Sequence, residues 1–106
     1  MTPEITCKEL KVKLDQRAPL VIVDVREDYE REISAIEGSI HIPLGELSNR
    51  IQELDPKESY VMQCRSGGRS ARATDILRDA GFSDVKNLIG GINQWAQEID
   101  LAMEIY

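Results

Sequence analysis

The sequence predicts an α/β domain: three layers, α/β/α, around a parallel sheet of four to five strands. Three observations lead there. Short runs rich in apolar and β-branched residues, chiefly Leu20-Val21-Ile22-Val23 and Tyr60-Val61-Met62, alternate with stretches of helical period. The runs lack in/out polar alternation, so these strands should be covered on both faces, as in parallel sheets. No repeat, low-complexity tract or linker interrupts the 106 residues, so one domain over residues 1–106 is expected.

Each element can be justified in turn. Thr6-Cys7-Lys8-Glu9 fits a capping box, in which a hydroxyl and a carboxylate satisfy the free N–H groups of a helix start. Cys7, Leu10 and Leu14 then fall on one helical face. Leu20–Val25 reads as a strand, and Ile5 can add a short edge strand. Charged residues from Arg26 to Glu32 suggest a short exposed helix. Ser39–Ile42 reads as a second strand, stopped by Pro43. Leu44, Leu47, Ile51 and Leu54 recur at helical spacing until Asp55-Pro56 ends the helix. Ser59–Gln63 is a third strand. Ala73, Ile76, Leu77 and Ala80 give the stripe of another helix. Gly81 stands where a left-handed cap residue belongs, with Phe82 as its hydrophobic contact. Val85–Leu88 is a short fourth strand, Gly90-Gly91 turns the chain, and Ile92, Trp95, Ala96 and Ile99 mark the last helical face. Such alternation implies right-handed crossovers, with the site at the carboxyl ends of the strands. Two places qualify, after Val25 and after Gln63.

Composition narrows the function. The net charge of −6 argues against nucleic-acid binding, which needs clustered Lys and Arg. No apolar run approaches the roughly 18 residues of a membrane helix, so no membrane role is expected. Met1-Thr2-Pro3-Glu4 lacks the basic and apolar stretch of an export signal, and a cytoplasmic location is expected. Two cysteines and one histidine make a poor metal set. Free thiols, no metal and no cofactor are the expectation.

The chemistry concentrates at Cys64-Arg65-Ser66-Gly67-Gly68-Arg69-Ser70, between a strand and a helix. The two glycines permit backbone conformations closed to other residues, so successive N–H groups can converge as an anion-binding nest. The helix N-terminus adds partial positive charge. Four arginines (65, 69, 72 and 78) against Asp75 alone make residues 64–78 a basic island in an acidic chain. These features favour the Cys64 thiolate, which can attack an electrophilic sulfur.

The whole chain, from Ile5 to Trp95, resembles a single rhodanese domain. Its cysteine loop is similar to that family's C-R-S-G-x-R-S loop. Asp24-Val25-Arg26-Glu27 resembles the D-V-R-E element, Ile42–Leu47 the I-P-L-x-E-L element, and Gly90–Trp95 the G-G-x-x-x-W element. The stretch Ser34–Ser39 departs from the family's G-H-I-P-G-A: it keeps Ile36 and Gly38 but lacks the histidine and proline. The resemblance implies a sulfurtransferase that carries sulfane sulfur as a persulfide on Cys64. The donor would be a small anion such as thiosulfate, or a protein persulfide. The acceptor would be a thiol, cyanide or a sulfur-acceptor protein. Arg65 and Arg69 would steer the donor, and the backbone from Arg65 through Gly67 and Gly68 to Ser70, with the Ser66 and Ser70 hydroxyls, would cradle the sulfur. Arg69 follows Cys64 by five residues, a C-x4-R spacing, whereas related phosphatases and arsenate reductases use C-x5-R. Two rivals stand beside this reading: a non-catalytic binding module, and a phosphatase- or arsenate reductase-like enzyme.

Other residues have plainer readings. Asp24 and Arg26 can brace the loop or line its pocket, or simply close the strand end as an ion pair. His41, Cys7 and Trp95 read as structural, and the acids from Glu27 to Glu37 as a solvated face.

Overall fold

The computed structural model describes residues 1–106. In chain order the elements are β1 (Glu4–Ile5), α1 (Cys7–Asp15), β2 (Val21–Asp24), α2 (Asp28–Ile33), β3 (Ile40–His41), α3 (Leu44–Arg50), β4 (Ser59–Gln63), α4 (Gly68–Asp79), β5 (Asp84–Leu88) and α5 (Gly91–Glu98). The strands form one parallel sheet in the order β1-β5-β4-β2-β3. The two central strands are the apolar ones, and their residues divide between the faces. Val23, Tyr60 and Met62 join Leu47, Ala73 and Leu77 in one core. Ile22 and Val61 join Leu10, Ile92 and Trp95 in the other. The sheet is thus sandwiched, with α3 and α4 on one side and α1 and α5 on the other. No helix is long and apolar enough to cross a membrane.

The local signals act as expected at the helix ends. Glu9 N–H donates to Thr6 Oγ1 (3.1 Å) and Thr6 N–H to Glu9 Oε1 (2.9 Å), completing the capping box. At the end of α4, Gly81 takes a φ of +97°. The N–H groups of Phe82 and Gly81 turn back to the carbonyls of Leu77 and Arg78 in a Schellman motif.

Three expectations need correction. The helix expected over Leu44–Leu54 ends at Arg50, whose φ of −116° leaves helical geometry, and Ile51–Glu53 form a single 3-10 turn. The strand expected over Ser39–Ile42 keeps only Ile40 and His41, because the Ser39 N–H and hydroxyl both turn back to the Ile36 carbonyl. The acids after β2 are not all a solvated face: Glu30 is 3% exposed, whereas its neighbour Tyr29 is 66% exposed.

Asp24 and Arg26, at the carboxyl end of β2, are both fully buried. Arg26 Nε and Nη2 donate to Asp24 Oδ1 (3.0 Å) and Oδ2 (2.8 Å). The remaining guanidinium N–H groups reach Ser34 O, Glu30 O and Tyr106 Oη. Every donor of the buried cation therefore has a partner, which is what makes its burial tolerable. This goes well beyond the ion pair of a strand end. Replacing Asp24 with Ala strands a buried guanidinium, and the expected cost is about 3–5 kcal/mol. Urea unfolding with an unchanged m-value checks this; a loss below 1 kcal/mol would contradict the burial argument.

Candidate active site

Cys64 follows β4 directly, and α4 begins at Gly68, so the loop between them is four residues long. Two constraints shape it. Gly67 sits at φ +116°, closed to L side chains, and turns its N–H onto Cys64 Sγ at 3.1 Å. The Cys64 and Arg65 carbonyls point the other way and accept from Ile92 N–H (2.9 Å) and Asn93 N–H (3.2 Å) at the start of α5. With carbonyls facing α5, the loop can aim N–H groups at the sulfur. The approach requires Gly91, where a Cβ would stand 2.4 Å from the Arg65 carbonyl oxygen. Gly68 is different: its φ is not positive and a Cβ there would meet nothing within 4 Å. Only the first of the two loop glycines is needed for the turn.

The thiol is 1% exposed. Burial pushes its pKa up. The Ser70 hydroxyl and the N–H groups of Ser70, Gly67 and Ser66 outweigh that and hold it below the ordinary thiol range. Cys7 is the contrast: burial, reinforced by Glu98, pushes its pKa up to about 11, and it lies in the α1/α5 core. Trp95 is in the same core.

Ser70 holds only one proton, and two acceptors compete for it. Its Oγ is 3.2 Å from Cys64 Sγ and 2.5 Å from Asn87 Oδ1. The Asn87 amide is oriented by its own Nδ2 donating to the Gly67 carbonyl (3.1 Å). With a neutral thiol the Ser70 proton belongs to Asn87. Turning it to a thiolate leaves a buried amide oxygen without that donor. The backbone donors are therefore the uncontested support of the thiolate, and Asn87 opposes part of what Ser70 gives.

The arginines separate. Arg69 does not lean over the sulfur; its Nη1 and Nη2 donate to Glu30 Oε1 (2.6 Å) and Oε2 (2.8 Å). Arg69 and burial compete at that carboxyl, and the arginine prevails, holding the Glu30 pKa at about 2. The same carboxylate accepts from Glu27 N–H and from Tyr106 Oη (2.7 Å). Arg65 is exposed and lies over the Tyr106 ring, 4.8 Å from its centroid. Asp24 and Arg26 brace the neighbouring strand end, where Val25 N–H donates to Gln63 O, but none of their hydrogen bonds reaches Cys64. His41 Nε2 lies 2.7 Å from Arg26 O, a structural role. The largest surface hollow, about 450 Å³, is lined by residues such as Leu14, Trp95 and Met103 and excludes Cys64.

Glu30, Asn87, Gly91 and Tyr106 are site residues that sequence reasoning missed. A glycine pair followed by a helix was the only visible signal among them.

The Rhodanese-like domain profile matches residues 6–98. The putative sulfurtransferase YtwF of Bacillus subtilis is 37% identical over 95 residues, covering 90% of this chain and 91% of that protein. The adenylyltransferase and sulfurtransferase MOCS3-2 of Zea mays is 34% identical over 109 residues; the match covers 96% of this chain but 23% of that protein. The crystal structure of a rhodanese-like domain protein from Staphylococcus aureus superposes with a TM-score of 0.86 at 33% identity, covering 99% of each chain.

Two measurements follow from the geometry. The rate of Cys64 alkylation by iodoacetamide against pH should show a midpoint below the roughly 8.5 of a free thiol. Ser70→Ala should raise that midpoint, while Asn87→Ala, by releasing the Ser70 proton to sulfur, should lower it. Shifts of the same sign would refute the competition for one proton.

Proposed function

The chain belongs to the rhodanese-like domain family, and from that membership we propose that it is a sulfurtransferase whose carrier is a persulfide on Cys64. The observation that supports this most directly is the Gly67 N–H, with the Ser70 hydroxyl beside it, placed at hydrogen-bonding distance from a cysteine sulfur. The thiolate attacks the outer sulfur of a donor. With thiosulfate, the new S–S bond forms as the donor's own S–S bond breaks, and sulfite leaves. With a thiol persulfide, the thiolate of the donor leaves. The outer sulfur of the new persulfide bears the negative charge, and the donors that held the thiolate lie beside it. A cyanide or thiol acceptor then takes that sulfur and restores the Cys64 thiolate, a ping-pong cycle.

No general base is required once the thiolate is preformed, which fits the structural placement of His41. Residues 1–106 would act as one unit. The donor is thiosulfate or a persulfide, and the acceptor a thiol, cyanide or a protein; the sulfurtransferase names among the relatives support sulfur transfer as the reaction. Arg65, the unpaired cation of the loop, would guide an anionic donor.

Incubation with thiosulfate or a thiol persulfide, followed by intact mass measurement, should add one sulfur. Cys64→Ser should abolish the gain and Cys7→Ser should leave it. No gain with either donor would leave a binding module as the better reading. Loop size gives a second test. Inserting a glycine between Gly67 and Gly68 creates C-x5-R spacing and displaces the donors aimed at the sulfur. Sulfur transfer should fall by about 10²-fold. Unchanged transfer, or faster hydrolysis of an aryl phosphate than sulfur transfer by the unaltered protein, would overturn the assignment.

A further inference from the structure

The charges around Cys64 do not add up to a strong anion site, and one residue is responsible. The loop carries two arginines, but only Arg65 lacks a carboxylate partner. The Arg69 fork is filled by both oxygens of Glu30 in a bidentate pair. A bidentate carboxylate occupies the same donor geometry that a phosphate, arsenate or thiosulfate oxyanion would use. Glu30 is itself held from every side: Glu27 N–H on Oε1, Tyr106 Oη on Oε2, and Arg26 Nη1 on its backbone carbonyl. It is 3% exposed, so release of the arginine would leave a buried carboxylate without its countercharge.

We propose that Glu30 is a specificity-determining residue, which occupies Arg69 as an internal anion and so biases the Cys64 site against small dianions. The preferred sulfur donors are those bearing at most one negative charge, of which a thiol-borne persulfide is the chemical class. The transfer from such a donor balances as above: the Cys64 sulfur bonds the outer sulfur, the donor's S–S bond breaks, and R–S⁻ departs. This deepens the sulfurtransferase reading and rests on it for the identity of the donor. The charge effect itself does not need sulfur transfer to be measured.

The test is anion protection of Cys64 from iodoacetamide, with inorganic phosphate as the probe, followed by thiosulfate and cysteine persulfide kinetics. In the unaltered protein, excess phosphate should leave the alkylation rate unchanged, and kcat/KM should favour the persulfide. Glu30→Gln keeps the shape and one oxygen but frees the Arg69 charge. Phosphate should then protect Cys64, and kcat/KM for thiosulfate relative to that for the persulfide should rise about tenfold. The charge-balanced double variant Glu30→Gln/Arg69→Gln should return both to the original values, which a merely structural role for Glu30 would not do. Phosphate protection of the unaltered protein overturns the proposal without any variant. So does a folded Glu30→Gln protein that responds to phosphate and thiosulfate as the original does. If no donor loads sulfur on Cys64 while the phosphate response follows the proposal, the sulfurtransferase reading fails and the charge assignment survives.

Discussion

The hydrogen bonds from Ile92 and Asn93 N–H to the carbonyls of Cys64 and Arg65 set the direction of the first two peptides of the loop, the second of which carries the Ser66 N–H. A peptide group that gives its oxygen to one side presents its N–H to the other. Tying these carbonyls to α5 fixes the peptide orientation on the sulfur side before any donor arrives. The tie needs the backbone of Gly91 against that of Arg65, closer than any side chain permits. The sheet serves the same end. β4 and β5 are adjacent, so the loop after β4 and the turn after β5 emerge side by side.

A second network is built on carboxylates. Asp24 anchors Arg26, and Arg26 touches the Glu30 carbonyl and Tyr106 Oη. Glu30 anchors Arg69, and the Tyr106 ring underlies Arg65. The strand end after β2 and the loop after β4 are thus cross-linked by ions, of which Asp24, Arg26 and Glu30 are buried and Arg69 is partly exposed. Each charge is tolerable because each has several partners. That interdependence also makes the position of Arg69 a property of the group and not of the loop alone.

The fold and the cysteine loop were legible in the sequence because both are written locally. The apolar runs of β2 and β4 and the Gly81 cap lie within a few residues of what they determine. Cys64 was readable because cysteine, glycine and arginine stand together. Glu30 was not, since a run of charges reads as solvated, and its partner Arg69 lies 39 positions away. Tyr106 carries no periodic signal and meets Arg26 across 80 positions. Asn87 looks like an ordinary polar residue in a short strand until Ser70 is found 17 positions from it in sequence and in hydrogen-bond contact. Long-range polar pairing leaves no pattern in a single sequence, whereas burial and capping do.

Both borders of the sheet are very small. β1 and β3 contribute two residues each, Glu4–Ile5 and Ile40–His41, while the apolar strands are enclosed between them. A strand from a neighbouring molecule would find only a stub of unpaired N–H and C=O groups on either side. The sheet is therefore a poor seed for lateral growth, and molecules at high concentration have little means of joining edge to edge into larger β-structures.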